Sequence, residues 1–249
     1  MDARPGGGEI CLMTIDIAFL VYPGMALLDL AGPCEVLQNV PDTRIHLVWK
    51  NRQAVTSDGG TSVLPTGTFA TLATFADLNA ADVLCVPGGA GQPDLMEDQE
   101  TIRWVRAVGQ KARYVTSVCT GAFVLGAAGL LEGYRATTHW ASLPLLAAYG
   151  AVPVEERVVV DRNRITGAGV TAGIDLALRL ASVVASQTTA EAIELALEYD
   201  PAPPFKAGHP RIASPRIVDL VRARFADRIE RRTRQAAQHS TAVAAAAPR

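Results

Sequence analysis

Cysteine is scarce: Cys11, Cys34, Cys85 and Cys119 are the four in 249 residues. None falls in a CxxC pair or at a Cys/His spacing suited to a metal, and four are too few to staple a chain of this length. That argues against structural disulfides and a zinc site, and places the chain in the reducing cytoplasm. An excess of charge is lacking too. Lys and Arg number 23 against 25 Asp and Glu, a formal net charge of −2. Neither nucleic acid nor an anionic membrane is therefore an expected partner. No apolar run approaches the ~20 residues that span a bilayer, and Met1 to Gly8 has neither the basic nor the apolar region of a leader. These absences leave a small molecule as the partner.

What is present is a chain that is 49% hydrophobic, enough for an ample core. Residues 1–12 read as a flexible extension, 13–240 as a single domain and 241–249 as a disordered tail. Ile17 to Val21 is a continuous apolar run of the kind that a parallel strand buried on both faces needs, and Tyr22-Pro23-Gly24 ends it as a turn. Further strands are expected at Ile45–Trp49, Val83–Val86, Tyr114–Val118 and Ala136–Thr138. Helical patterns alternate with them at Thr101–Gln110, Gly121–Leu130 and Ser142–Tyr149. A proline tolerated at the first helical position places a further helix start near Pro33. The alternation argues an α/β fold with a mostly parallel sheet and helices on both faces. Ala54–Phe69 and Arg157–Gly167 read as hairpins added to that sheet. Ala172–Ser186 and Thr189–Tyr199 follow as helices, Pro201–Pro204 stops the second, and from Ile217 an Arg/Ala-rich helix runs on and frays at Ala242.

The chemistry concentrates at Cys119. Tyr114-Val115-Thr116-Ser117-Val118 changes at Cys119-Thr120 into the small residues Gly121-Ala122 at helical spacing, the pattern of a nucleophile on a sharp strand-to-helix turn. Such a turn presents its side chain at the carboxyl end of the strand, and the following helix N-terminus favours a thiolate. An exposed, reactive sulfur is expected. Ligands of open parallel sheets bind at that edge, where Asp29 and Pro87-Gly88-Gly89 also converge. Gly88 and Gly89, with the Thr120 amide, are candidates to bind a developing negative charge. Asp29 is a candidate acid or base whose pKa the neighbouring sulfur raises, so that the two titrate as one unit.

Leu28-Asp29-Leu30-Ala31-Gly32-Pro33, Val86-Pro87-Gly88-Gly89 and Ser117-Val118-Cys119-Thr120-Gly121 together resemble the ThiJ/PfpI superfamily, which implies a flavodoxin-like sheet with a nucleophile-elbow cysteine. Arg135-Ala136-Thr137-Thr138-His139-Trp140, Thr171 to Asp175 and Leu197 to Phe205 are similar to its isonitrile-hydrating members. That resemblance implies addition of water to R–N≡C to give an N-substituted formamide through a Cys119 thioimidate. It also implies no metal or organic cofactor and a homodimer. By the same resemblance Asp29 stands where glutamate is usual, Thr120 contributes a hydroxyl or amide, and the histidine that proteolytic members carry after the cysteine is absent. His139 belongs to one of the matching blocks, and its distance from the sulfur stays open.

Other readings stand beside these. Cys34 and Cys85 read as inert small hydrophobes and Cys11 as incidental. Asp29 could merely cap the helix at Pro33, Gly88-Gly89 could merely turn, and Thr120 could merely start a helix. His46 and His209 read as structural or surface groups and His239 as part of the tail. Arg222 to Arg234, interleaved with Asp227 and Glu230, reads as a solvated helix face. Competing functions are glyoxalase or deglycase chemistry on reactive carbonyls, a redox sensor at Cys119, and a regulator's ligand-sensing domain. The last would need a DNA-binding module, and beyond Pro210 the chain offers about one helix.

Overall fold

The computed structural model describes residues 14–74 and 81–246. The expected extension at 1–12, Cys11 and the last three residues lie outside them. The chain opens with β1 (Ile15–Leu20), α1 (Leu27–Leu37) and β2 (Thr43–Trp49), followed by β3 (Val55–Thr56), β4 (Ser62–Val63), β5 (Gly67–Thr68) and α2 (Phe69–Thr74). Next come β6 (Val83–Val86), α3 (Gln92–Glu97), α4 (Gln99–Lys111), β7 (Tyr114–Val118), α5 (Gly121–Ala127) and β8 (Arg135–Ala136). A 3₁₀ helix over Trp140–Tyr149 leads to β9 (Val152–Pro153), β10 (Val158–Asp161) and β11 (Arg164–Gly167). Four helices close the chain: α6 (Ala172–Val184), α7 (Gln187–Ala196), α8 (Pro215–Arg224) and α9 (Ala226–Ala246).

The main sheet has seven strands in the order β10-β11-β7-β6-β1-β2-β5. Every pairing is parallel except β10 with β11, the hairpin expected at Arg157–Gly167. The apolar runs fit this burial: all four residues of β6 and the last five of β1 are buried. Helices cover both faces, α1 packing on α6 and α6 on α7, while α5 meets α3, α4 and the 3₁₀ helix. Register places Val86 opposite Ser117 and Gly167 opposite Val118, so β6, β7 and β11 end together and deliver Pro87, Cys119 and Ala168 to one edge. No helix among the described residues is long and apolar enough to cross a membrane.

Several boundaries differ from the sequence expectation for physical reasons. The first helix starts at Leu27, not near Pro33, so Pro33 lies inside it. The chain is already fixed there, because Met25 bridges Gly89 and the Ala26 amide donates to the Gly88 carbonyl at 2.8 Å. That tertiary pairing overrides the proline signal. Asp29 therefore sits in the first turn of α1 and is no cap for a later helix. In Ala54–Phe69, β3 and β4 form a separate two-stranded sheet and only β5 joins the main sheet, beside β2. The Gly24 amide donates to Thr56 and the Asp58 amide to Met25, docking the small hairpin on the turn after β1. Of the expected Ala136–Thr138 strand only Ala136 is extended, at the end of β8, which pairs with β9 outside the main sheet. Two helices, not one, follow Pro210. Helical backbone continues through Ala246 into the expected tail, and the His239 ring lies tilted against Tyr149 with centroids 4.6 Å apart.

Candidate active site

Cys119 follows β7 with φ +53°, a left-handed conformation that costs a non-glycine residue roughly 1–3 kcal/mol. Its surroundings enforce it. The Cys119 amide donates to the Gly167 carbonyl at 3.1 Å, and the Thr138 hydroxyl donates to the Cys119 carbonyl at 2.6 Å. At Gly121 a Cβ would meet the Val86 carbonyl oxygen at 2.1 Å, so only glycine lets α5 start this close to β6. The elbow expected from the sequence is thus present, clamped from β11 and from the Thr137-Thr138-His139 segment.

The structure brings together all five residues singled out for the site. The Gly88 amide donates to Asp29 Oδ2 at 2.8 Å and the Gly89 amide to Thr120 Oγ1 at 3.2 Å. Both glycine amides therefore hold side chains and do not point free at a ligand. A Cβ on Gly88 would lie 2.5 Å from the Thr120 nitrogen, which explains the residue's size. Asp29 Oδ1 is buried with no hydrogen-bond partner among the described residues. Burial, opposed by the Gly88 amide and reinforced by Asp58, raises the Asp29 carboxyl to about 7.

Cys119 is 7% exposed and forms part of the floor of a cavity of about 130 Å³, lined also by Thr120, His139, Val170, Phe225 and Arg232. The expectation of an exposed thiolate is corrected here. Burial, with the Asp29 charge second, pushes the thiol well above its ordinary range, while the Thr120 amide, Arg232 and the Thr120 hydroxyl pull the other way. The half-charge of a helix N-terminus does not outweigh the loss of water plus a full carboxylate charge. The resting sulfur is a thiol that opens onto a cavity. Burial holds the thiols of Cys34 and Cys85 up near 12.

The sequence reading missed Arg232. Expected on a solvated face, it is 7% exposed, with Nε on Gln92 Oε1 at 2.8 Å and Nη1 on Ser142 Oγ at 3.5 Å. Its signal was its register: Phe225, Ile229, Arg232 and Ala236 recur at helical spacing, and the first three line the cavity. His139 also lines it, its Nδ1 accepting from the Ala141 amide at 3.3 Å. Burial and the charge of Arg232 lower His139 to about 4, so it is neutral at pH 7. Tyr22, fully buried, donates its hydroxyl to the Pro87 carbonyl at 3.0 Å and braces the glycine turn. His46 is structural, 2.6 Å from Asp16, and His209 is 3.6 Å from Glu155. Among the described residues, no group of three or more His, Cys, Asp or Glu side chains is placed to hold a metal ion.

A cysteine elbow beside a carboxylate at the edge of such a sheet is matched by a known pattern, that of the DJ-1/PfpI family, over residues 16–183. The chain belongs to the DJ-1/PfpI family. Among DJ-1/PfpI relatives, the isonitrile hydratase of Pseudomonas putida is 51% identical over 89% of this chain and 94% of its own length. A crystal structure of a ThiJ/PfpI family protein from Pseudomonas syringae superimposes with a TM-score of 0.86 at 41% identity, covering 94% of this chain and 97% of that one. The HTH-type transcriptional regulator GbdR of Pseudomonas aeruginosa is 32% identical over 66% of this chain but only 45% of its own length. The DJ-1/PfpI fold thus serves both an enzyme that this chain matches over most of both lengths and a regulator that it matches in part.

Proposed function

We propose that this chain hydrates isonitriles, R–N≡C + H₂O → R–NH–CHO, with Cys119 as nucleophile and Asp29 as proton carrier. One observation carries the reading. The elbow cysteine, its aspartate of raised pKa and the following threonine occur in a chain that matches an isonitrile hydratase over nearly all of both sequences.

The neutral thiol suits this reaction, because the first step is insertion of the terminal carbon into an S–H bond. Ionised Asp29 takes the thiol proton on its unpartnered Oδ1 as sulfur forms a bond to the isonitrile carbon. The Thr120 amide and hydroxyl, which face the sulfur, hold its charge in transit. The pair from the broken C–N π bond passes to nitrogen, and the carbon takes the proton from Asp29 on its own lone pair, giving the thioimidate R–N=CH–S–Cys119. Water then adds to that carbon, one of its protons passing through Asp29 to nitrogen. The C–S bond breaks, sulfur recovers a proton, and R–NH–CHO leaves. Gly88 and Gly89 serve the reaction by fixing Asp29 and Thr120. A homodimer acting in the cytoplasm accompanies this reading. The superfamily resemblance supports the dimer, the absence of disulfides among the described cysteines suits the compartment, and light scattering tests the assembly.

The test incubates purified protein with one aliphatic and one aromatic isonitrile and follows the formamide. Wild type forms it, and Cys119→Ala loses at least a thousandfold. Unchanged turnover by Cys119→Ala overturns the mechanism, and consumption of methylglyoxal in place of isonitrile overturns the substrate class.

A further inference from the structure

Arg232 is a buried cation without an acid. Its two hydrogen-bond acceptors, Gln92 Oε1 and Ser142 Oγ, are neutral, and Nη2 has no hydrogen bond among the described residues. One turn earlier on α9, Arg228 lines the same cavity. It has only the Phe225 ring against it, at 5.7 Å, and no acidic partner among the described residues. Taking a guanidinium out of water is costly unless an opposite charge answers it. Cys119 keeps its proton and does not answer. Nor does Asp29: a carboxylate paired with a guanidinium is held low, and Asp29 is held high. Asp58, exposed at the cavity mouth, is the one acid among the lining residues, and His139 is neutral. The lining carries one positive charge too many.

The proposed reaction leaves that surplus unanswered, since isonitrile, thioimidate and formamide are all neutral. We propose that the substrate supplies the missing anion: the natural isonitriles carry a carboxylate, which Arg228 and Arg232 bind while the N≡C carbon reaches the sulfur of Cys119. This inference rests on the isonitrile reading for the reacting group, and on the two arginines alone for the anion. A planar guanidinium with a free edge matches a carboxylate in two parallel hydrogen bonds, which an ammonium does not. The cavity, of about 130 Å³, brings both arginines and the sulfur onto one wall set that a small molecule can span.

Isocyanoacetate and its ethyl ester share the reacting group and differ in the charge. Wild type should favour the acid in kcat/KM by tenfold or more, and Arg228→Gln should reduce that acid-to-ester preference about tenfold. A second measurement does not depend on hydratase activity. Alkylation of Cys119, read on its own peptide by mass spectrometry, is compared for anionic iodoacetate and neutral iodoacetamide. The iodoacetate-to-iodoacetamide ratio should fall at least fivefold in Arg228→Gln and further in Arg232→Gln. If Arg232→Gln does not fold, the exposed Arg228 carries the test alone. Equal use of acid and ester with ratios that the variants leave unchanged overturns the inference. So does an equal slowing of both alkylating reagents, which would assign the arginines to the sulfur. Failure of wild type to hydrate either compound, with the iodoacetate preference intact, overturns the isonitrile reading and leaves the anion site standing.

Discussion

Cys119 and Asp29 both sit where their own preferences would not put them, one in a left-handed backbone and the other as an acid 1% exposed to solvent. The cost at Asp29 has a definite pH dependence. Its folded pKa, about 7, lies above the ordinary 3.8, so between those values the native state holds a proton that the unfolded chain has released. Stability therefore falls as pH rises from about 4 through 7, by at most of the order of 4 kcal/mol. Asparagine cannot ionise and keeps an oxygen for the Gly88 amide. Asp29→Asn should thus gain roughly 2–4 kcal/mol over wild type at pH 8 and nothing at pH 4, as measured by urea unfolding. Activity should move the opposite way. Wild-type kcat/KM should rise through pH 7 as the carboxylate forms, while the variant should be at least ~100-fold slower without that rise. A variant that matches wild type in stability at pH 8 removes the buried charge from the account.

At the scale of elements, legibility followed burial on both faces. β6, β7 and the core of β1 were readable because uninterrupted apolar runs between turn residues have few other uses, and the hairpin of β10 and β11 was readable from Asp161-Arg162-Asn163 between β-branched runs. The start of α1 was not, because a distant backbone pairing with Gly88 and Gly89 fixes it and no local residue announces it. The five residues named for the site do meet at one edge of the sheet. The roof of the site was hidden, because charge along Arg222–Arg234 masked the stripe that runs through Phe225, Ile229, Arg232 and Ala236. Ala236, 4% exposed, belongs to that stripe on a helix that packs against the 3₁₀ helix and α3. Ala236→Glu combines overpacking with a buried charge and should release α9 without touching the sheet. Hydrogen exchange should show α9 amides losing protection while β1, β6 and β7 keep theirs. Cys119 should then react with a bulky aromatic disulfide at least tenfold faster. Unchanged Cys119 reactivity after α9 loosens means that the helix does not roof the sulfur.

Across the whole molecule, the cavity is an assembly of segments far apart in sequence: the elbow at Cys119, the Asp58 turn between β3 and β4, His139 before the 3₁₀ helix, and Phe225 with the first turns of α9 as far as Arg232. Each is anchored separately, the hairpin through Met25, the His139 segment through Thr137 on Thr166, and α9 through Gln92 and Ser142. A ligand in the cavity would touch all of them at once. A small molecule in 130 Å³ should therefore act as a tie for the entire fold. A formamide product present at a hundred times its dissociation constant adds about 2.7 kcal/mol. In a chain of this size that corresponds to a rise in Tm of roughly 5–10 °C. Its imprint should be dispersed: hydrogen-exchange protection should increase together in residues 55–63, 137–141 and 225–236. Protection confined to residues 118–123 would show that the ligand sits on the elbow alone, and that the cavity walls contribute shape without contact.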